Sequence, residues 1–226
     1  LLFPLYPQYA SSSSASAMDS LWRLLLKTRN VPEIRTIRNY HDHPAYINAL
    51  KVSVLDFWEN NGKPTKLIMS FHGIPKKSLY QGDPYHCECH KTGRLLAEAL
   101  KLNDSEYQIC FQSRFGRAEW LKPYFSEVIS SLGKQKTKNI HVICPGFSSD
   151  CLETLEEINI EGKAIFIDNG GKGYKYIPAL NTNPLWIEAI AEISSSHLQG
   201  WIDPKWSIAK EKKLSNLTKK QAKKFK

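Results

Sequence analysis

Apolar residues fall along this chain in two alternating rhythms. Compact runs read as buried strands: LIMSF within 66–71, YQICFQS at 107–113, NIHVIC within 139–146 and KAIFID at 163–168. Between and after them, apolar residues recur at helical spacing over about 87–102, 119–132, 150–158 and 184–197, and YKYIPAL (174–180) is again strand-like. Strands alternating with helices of this length predict a parallel sheet covered on both faces. The first sixty residues read less regularly. LLFPLYP predicts a strand and a turn, and the serine run 11–16 caps a helix over about 17–29. Leu21, Trp22, Leu24, Leu25 and Leu26 give that helix a broad apolar face, and Pro32 ends it. A short strand at 34–40 and a helix over 44–60 opened by Pro44 complete the region. The turn at 60–64 (NNGKP) is the candidate hinge between domains.

Composition narrows this picture without changing it. With 226 residues, 42% hydrophobic and 23% charged, the chain can bury a core of one large or two small domains. Five cysteines, several of them in apolar runs, suit a reduced cytosolic compartment better than a disulfide scaffold. No apolar run reaches 18 residues, so no transmembrane helix is predicted. The net charge of +9 is concentrated at one end. Residues 203–226 carry nine lysines against Asp203 and Glu211, a net +7, which leaves +2 for the rest. A nearly neutral body argues against a nucleic-acid partner, and the tail predicts a weakly helical or disordered extension. Its remaining pull is a weak peripheral attraction to an anionic membrane surface. The opening run LLFPLYPQYASSSSAS has no basic n-region, which argues against a signal peptide. The chain is expected to be a cut one.

The candidate chemistry sits where strands run into loops, the edge at which open parallel sheets bind ligands. His72 ends one strand, ahead of Gly73 and Pro75. A histidine there is most often satisfied at the core edge, yet a neutral imidazole also takes protons near pH 7 and ligates borderline metals. Glu153 follows another strand. With Asp150 it has the spacing of a helix-capping pair, and Asp150, Glu153 and Glu157 also predict one carboxylate stripe. That stripe is either a solvated face or an acidic path for a cation. Arg114 and Arg117 lie near Trp120 and Tyr124, an aromatic and cationic mix that suits a large flat anion or ordinary helix-start packing. Tyr85, after the turn Gly82-Asp83-Pro84, packs or lines a cleft. The run His86-Cys87-Glu88-Cys89-His90 lacks the ligand spacing of a zinc or iron–sulfur site. Gly170-Gly171-Lys172-Gly173 precedes a strand rather than a helix and reads as a turn.

In order, YPQYASSSSAS, SFHGIP, GDPY, FQSRFGRAEWLKPY, CPGFSSDCLETLEEI and GGKGYKYIPALN resemble the ferrochelatase family, bacterial branch, from Leu1 to about His197. The resemblance implies a chelatase-like α/β fold of two Rossmann-like lobes with parallel sheets flanked by helices. The first lobe would be incomplete here. Residues 1–62 would be the end of that lobe, 63–200 the second lobe, and 201–226 a basic tail. It implies ferrous iron insertion into protoporphyrin IX, forming protoheme and releasing two protons, in the cytoplasm. His72 and Glu153 would be the catalytic and metal-holding pair. Asp150 and Glu157 would form an acidic track, and Tyr85, Arg114, Trp120 and Phe147 would line the porphyrin pocket. Fe²⁺ would be the substrate metal, with no organic cofactor and no iron–sulfur cluster. The alternatives are a non-catalytic porphyrin- or metal-binding remnant and a chelatase for another tetrapyrrole such as coproporphyrin.

Overall fold

A computed structural model describes residues 1–203 and 205–225 of the chain; the tail expectation at positions 204 and 226 lies outside them. Four parallel strands form the sheet: β1 (Lys66–His72), β2 (Tyr107–Gln112), β3 (Asn139–Ile143) and β4 (Gly173–Tyr176). Their spatial order is β2-β1-β3-β4. The order reverses between β1 and β3, so the crevice at the carboxyl ends of those two strands is the topological switch point.

Alternation along β1 shows why both faces must be covered. Leu67, Met69 and Phe71 enter one core, whereas Ile68 enters the other. The first core is closed by α2 (Pro44–Asn61), α4 (Tyr85–Ala99) and α7 (Pro184–His197), through residues such as Tyr46, Leu50, Leu96 and Trp186. The second is closed by α5 (Phe125–Lys134), α6 (Gly162–Asp168) and the helical segment leading into α6. Pro44 and Pro184 each occupy a first helical turn, where a missing N–H costs nothing, and the preceding His43 and Asn183 side chains cap those helices. The helix preceding the 60–64 turn therefore shares its core with the sheet that follows.

Several predicted elements differ. The serine run does not cap a helix from outside. Residues Ser11–Ala15 are themselves wound as a wide π turn, with the Ala15 amide donating to Ala10, and lead into α1 (Ser16–Leu25). No residue of α1 is buried. The strands predicted at 1–7 and 34–40 reduce to one parallel bridge between Leu2 and Thr36. A short helix, α3 (Lys76–Tyr80), fills the loop after β1. The helix predicted from 119 starts only at Phe125, because Pro123 has no amide to donate and pushes Lys122 out of helical conformation. Residues 119–124 instead run along the sheet end, with Trp120 bridged to Pro75 and Tyr124 to Phe111. The strand predicted at 163–168 is helix α6. Along α6 and the helical segment before it the buried positions, Thr154, Ile158, Gly162 and Phe166, recur every fourth residue, which is a helical face and not a strand face. The tail forms α8 (Ile208–Ala222), with no buried residue.

Candidate functional site

His72 is the last residue of β1, in register with Gln112 at the end of β2. The chain then turns through Gly73, whose amide donates to the Gln112 carbonyl at 2.8 Å. A Cβ at Gly73 would lie 2.7 Å from that carbonyl oxygen and 3.0 Å from the Trp120 ring, so only glycine fits. The His72 ring lies between Trp120 and Phe147, with centroids 6.5 and 6.4 Å away. Its Nδ1 is 2.6 Å from the Gly73 carbonyl oxygen. A carbonyl only accepts, so Nδ1 carries the proton and donates it. That leaves the Nε2 lone pair free to take a proton or a metal ion.

Glu153 opens a π-wound helical segment, Glu153–Glu161, that runs on into α6. The predicted capping pair does not form, because no side chain caps this helix start. The Thr154 hydroxyl takes that place locally, accepting from the Cys151 amide at 3.0 Å and donating to Asp150. Gln112 fixes the segment to the sheet by donating from Nε2 to the Glu153 carbonyl at 2.9 Å. The Cys151 thiol and the Glu153 amide hold the Glu153 carboxyl below its usual range, against the opposing effect of burial. Glu153 thus stays ionised while facing the same space as the imidazole.

That space is a cavity of about 650 Å³ at the switch point, lined by His72, Glu153, Tyr85, Phe147, Gln8 and the Ser12–Ser13 turn, among others. Two buried acids hold the N-terminal part of its rim. Asp83 accepts from the Ser11 amide at 2.8 Å, and Glu88 accepts from the Tyr9 amide at 2.7 Å. Gln8 itself is buried and donates to Thr92 at 2.9 Å. Burial pushes the Tyr85 hydroxyl well above its ordinary range, so it remains neutral.

Of the sequence-predicted residues, the cavity brings together His72, Glu153, Tyr85 and Phe147. Trp120 is buried behind His72 and does not line it. Arg114 lines an adjacent cavity of about 360 Å³, where it faces Glu157 and lies over the Tyr124 ring at 4.6 Å. Glu157 accepts from the Ser113 amide at 2.6 Å and the Ser113 hydroxyl at 2.5 Å. Asp150 lies ahead of the helical segment, so it does not extend a stripe on it. Burial alone would raise its pKa, but the Tyr176 hydroxyl, Asn181, the Ala179 amide and Thr154 together hold it below its usual range. Gln8, Asp83, Glu88 and Gln112 were not singled out from sequence. All four lie inside runs named above, and for Gln8 and Gln112 the signal would have been a polar residue within an apolar, turn-rich run. The five residues His86–His90 do not converge: Cys87 is exposed, Cys89 buried, and only the two imidazoles meet. All five cysteines are free. Among the described residues no helix is long and apolar enough to cross a membrane, and no group of three or more His, Cys, Asp or Glu side chains is arranged to hold a metal ion.

Sheet order and cavity together define an open, doubly wound α/β protein with a cavity at the switch point, the place where such sheets bind ligands. The family model for ferrochelatases matches residues 1–198, and the chain belongs to that family. A ferrochelatase from Nitrosomonas europaea is 61% identical over 207 residues, covering 92% of this chain and 57% of the relative. Ferrochelatases from Methylobacillus flagellatus and Chromobacterium violaceum are 60% and 57% identical over 202 and 203 residues. The chain covers 59% and 56% of their lengths, so it spans a little over half of the curated relatives it matches.

Proposed function

We propose that this chain carries the metal-insertion site of a protoporphyrin ferrochelatase, with His72 and Glu153 as its reacting pair. The observation that carries the reading is that one cavity at the switch point is lined by both an imidazole with a free Nε2 and an ionised carboxylate. Insertion removes two pyrrole N–H protons from the macrocycle while Fe²⁺ takes four nitrogen ligands, so charge and atoms balance with two protons released. His72 Nε2 is suited to accept those protons one at a time, passing the first to solvent before it takes the second, and the Glu153 carboxylate to draw in the cation. Tyr85 and Phe147 supply apolar walls for the ring, and binding energy spent on distorting it would expose the nitrogen lone pairs to the metal. Asp150, ahead of the helical segment, and Glu157, on it, would be the acidic residues that guide the cation past Glu153. Arg114 would meet a propionate from the neighbouring cavity, and Trp120 would act by holding His72.

In this reading residues 1–62 belong to the first lobe, 63–200 form the second, and 201–226 are a tail. The reaction needs no organic cofactor and no iron–sulfur cluster, and the protein works in the cytoplasm. Exposed Trp206, Ile208, Leu214 and Leu217 among the tail lysines suit weak peripheral contact with an anionic membrane. The test is zinc insertion into protoporphyrin IX, followed by product fluorescence, in the chain extended to the length of its relatives. His72→Ala and Glu153→Gln are each expected to slow turnover by about 10²-fold or more. Unchanged turnover in His72→Ala would sink the assignment.

A further inference from the structure

The run His86-Cys87-Glu88-Cys89-His90 is left unused by the cavity. Helix α4 sorts these side chains by face. Glu88 and Cys89 turn inward, Cys87 faces solvent, and His86 and His90 sit four residues apart on one partly exposed stripe. Their ring centroids are 4.4 Å apart with planes inclined at 45°. Phe111, near the end of β2, backs both rings: it stacks on His86 at 5.9 Å and 20°, and lies 6.0 Å from His90. The aromatic backing limits the rotation of each ring, so little ordering remains to be done on binding. Among the described residues neither imidazole has a hydrogen-bond or oppositely charged partner. Two nitrogen donors are thus left side by side with nothing to satisfy them but solvent.

We propose that His86 and His90 form a two-donor surface site for a late first-row divalent cation, Cu²⁺, Ni²⁺ or Zn²⁺, with water completing its shell. Two histidines four residues apart on one helix face are a known bidentate arrangement for such ions, and imidazole selects them over harder cations. By the same order of affinities, Fe²⁺ binds here more weakly than the others, which separates this site from the cargo of the cavity. An ion bridging the first and second turns of α4 binds the folded helix only, and therefore stabilises it. Those turns also carry Tyr85, in the cavity wall, and Glu88, which holds the Tyr9 amide at its rim. The site does not depend on the roles given to His72 and Glu153.

The experiment is Ni²⁺ titration of the chain carrying His72→Ala, which removes the imidazole of the cavity. One saturable ion per chain is expected, together with a rise in thermal midpoint. His86→Asn or His90→Asn is expected to weaken binding by about tenfold or more and to abolish the rise, whereas Cys87→Ser leaves both intact. Saturable binding that survives when His86→Asn and His90→Asn are combined, loss of binding in Cys87→Ser, or no saturable binding at all would overturn the proposal. Electron paramagnetic resonance of the unsubstituted histidine pair with one Cu²⁺ bound gives a readout independent of variant folding. Two equivalent nitrogens are expected, and a single-nitrogen pattern refutes the site.

Discussion

Helices α1 and α2 are written in similar language and end in opposite environments. Both carry several large apolar residues at helical spacing, and both lie in the first sixty positions. In α2, six residues are buried, among them Tyr46, Leu50, Val54 and Trp58, packed on α4, α7 and the sheet. In α1, no residue is buried: Leu24 is 63% exposed, and Leu26, just past its end, 83%. Among the described residues, nothing covers this apolar face. Amphipathic spacing therefore encodes that a helix forms and which stripe wants burial. It does not encode whether the covering surface lies within the same stretch of chain. The chain spans a little over half the length of its relatives, and α1 shows what an unmatched face looks like.

The largest effect is expected inside the buried helix. Leu50 is 2% exposed and sits between α2 and the core under the sheet. Leu50→Ala removes a packed side chain that its neighbours cannot fully replace, and is expected to cost about 2–5 kcal/mol in equilibrium denaturation. A cost below about 1 kcal/mol would mean that α2 is no better packed than α1.

The same contrast explains what was legible in the sequence. The sheet strands and α2 and α7 stand within a few residues of their predicted positions, because burial on both faces leaves continuous apolar runs and prolines mark helix starts. The clearest misreading was 163–168, expected as a strand and in fact the end of the helical stretch that starts at Glu153. There, the buried face is Thr154, Ile158, Gly162 and Phe166, and two of those four do not count as apolar in a pattern. Gly162 is buried because a Cβ would lie 2.7 Å from both the Phe125 ring and the Tyr174 hydroxyl, so the packing is backbone against ring and leaves no hydrophobic letter. The exposed Ile160 and Ile167 supplied apolar letters that mean nothing for the fold. The site was half legible in the same sense. His72 and Glu153 stand where strand ends place chemistry, and one cavity receives both. The residues that fix the cavity rim, Asp83, Glu88 and Gln112, act through contacts with residues far away in sequence, and no local pattern announces such partners.

Helix α2 also covers a titrating group. His141 on β3 is 2% exposed, its Nδ1 has no partner, and Phe57 of α2 meets its ring edge-on at 5.3 Å. Burial, with Lys175 nearby, lowers its pKa from 6.5 to about 4. The folded state therefore holds the ring neutral while the unfolded state protonates it below 6.5. Stability from this group is fully present above that value, falls as pH drops, and is lost by about pH 4. The loss is on the order of 2–3 kcal/mol. Other acid-labile groups slope the same way, so the measurement is the difference between the chain and His141→Gln across pH 7 to 4. Parallel curves would show that α2 does not seal β3 from water.

The smallest expected change falls on α1, and it is the sharpest test of the difference. Leu24 and Leu26 touch no core, so replacing both with lysine removes no packing and leaves no cavity. Two lysines in place of two leucines cost little in helix propensity. Unfolding free energy is expected to stay within about 0.5 kcal/mol of the parent. Colloidal behaviour is expected to change more, because the substitutions put charge into a run of exposed apolar side chains, and such runs favour self-association. Light scattering against concentration reads this directly, with self-association falling in the double variant. If the double lysine variant instead unfolds like Leu50→Ala, the α1 face is buried in solution, and the contrast between the two helices disappears.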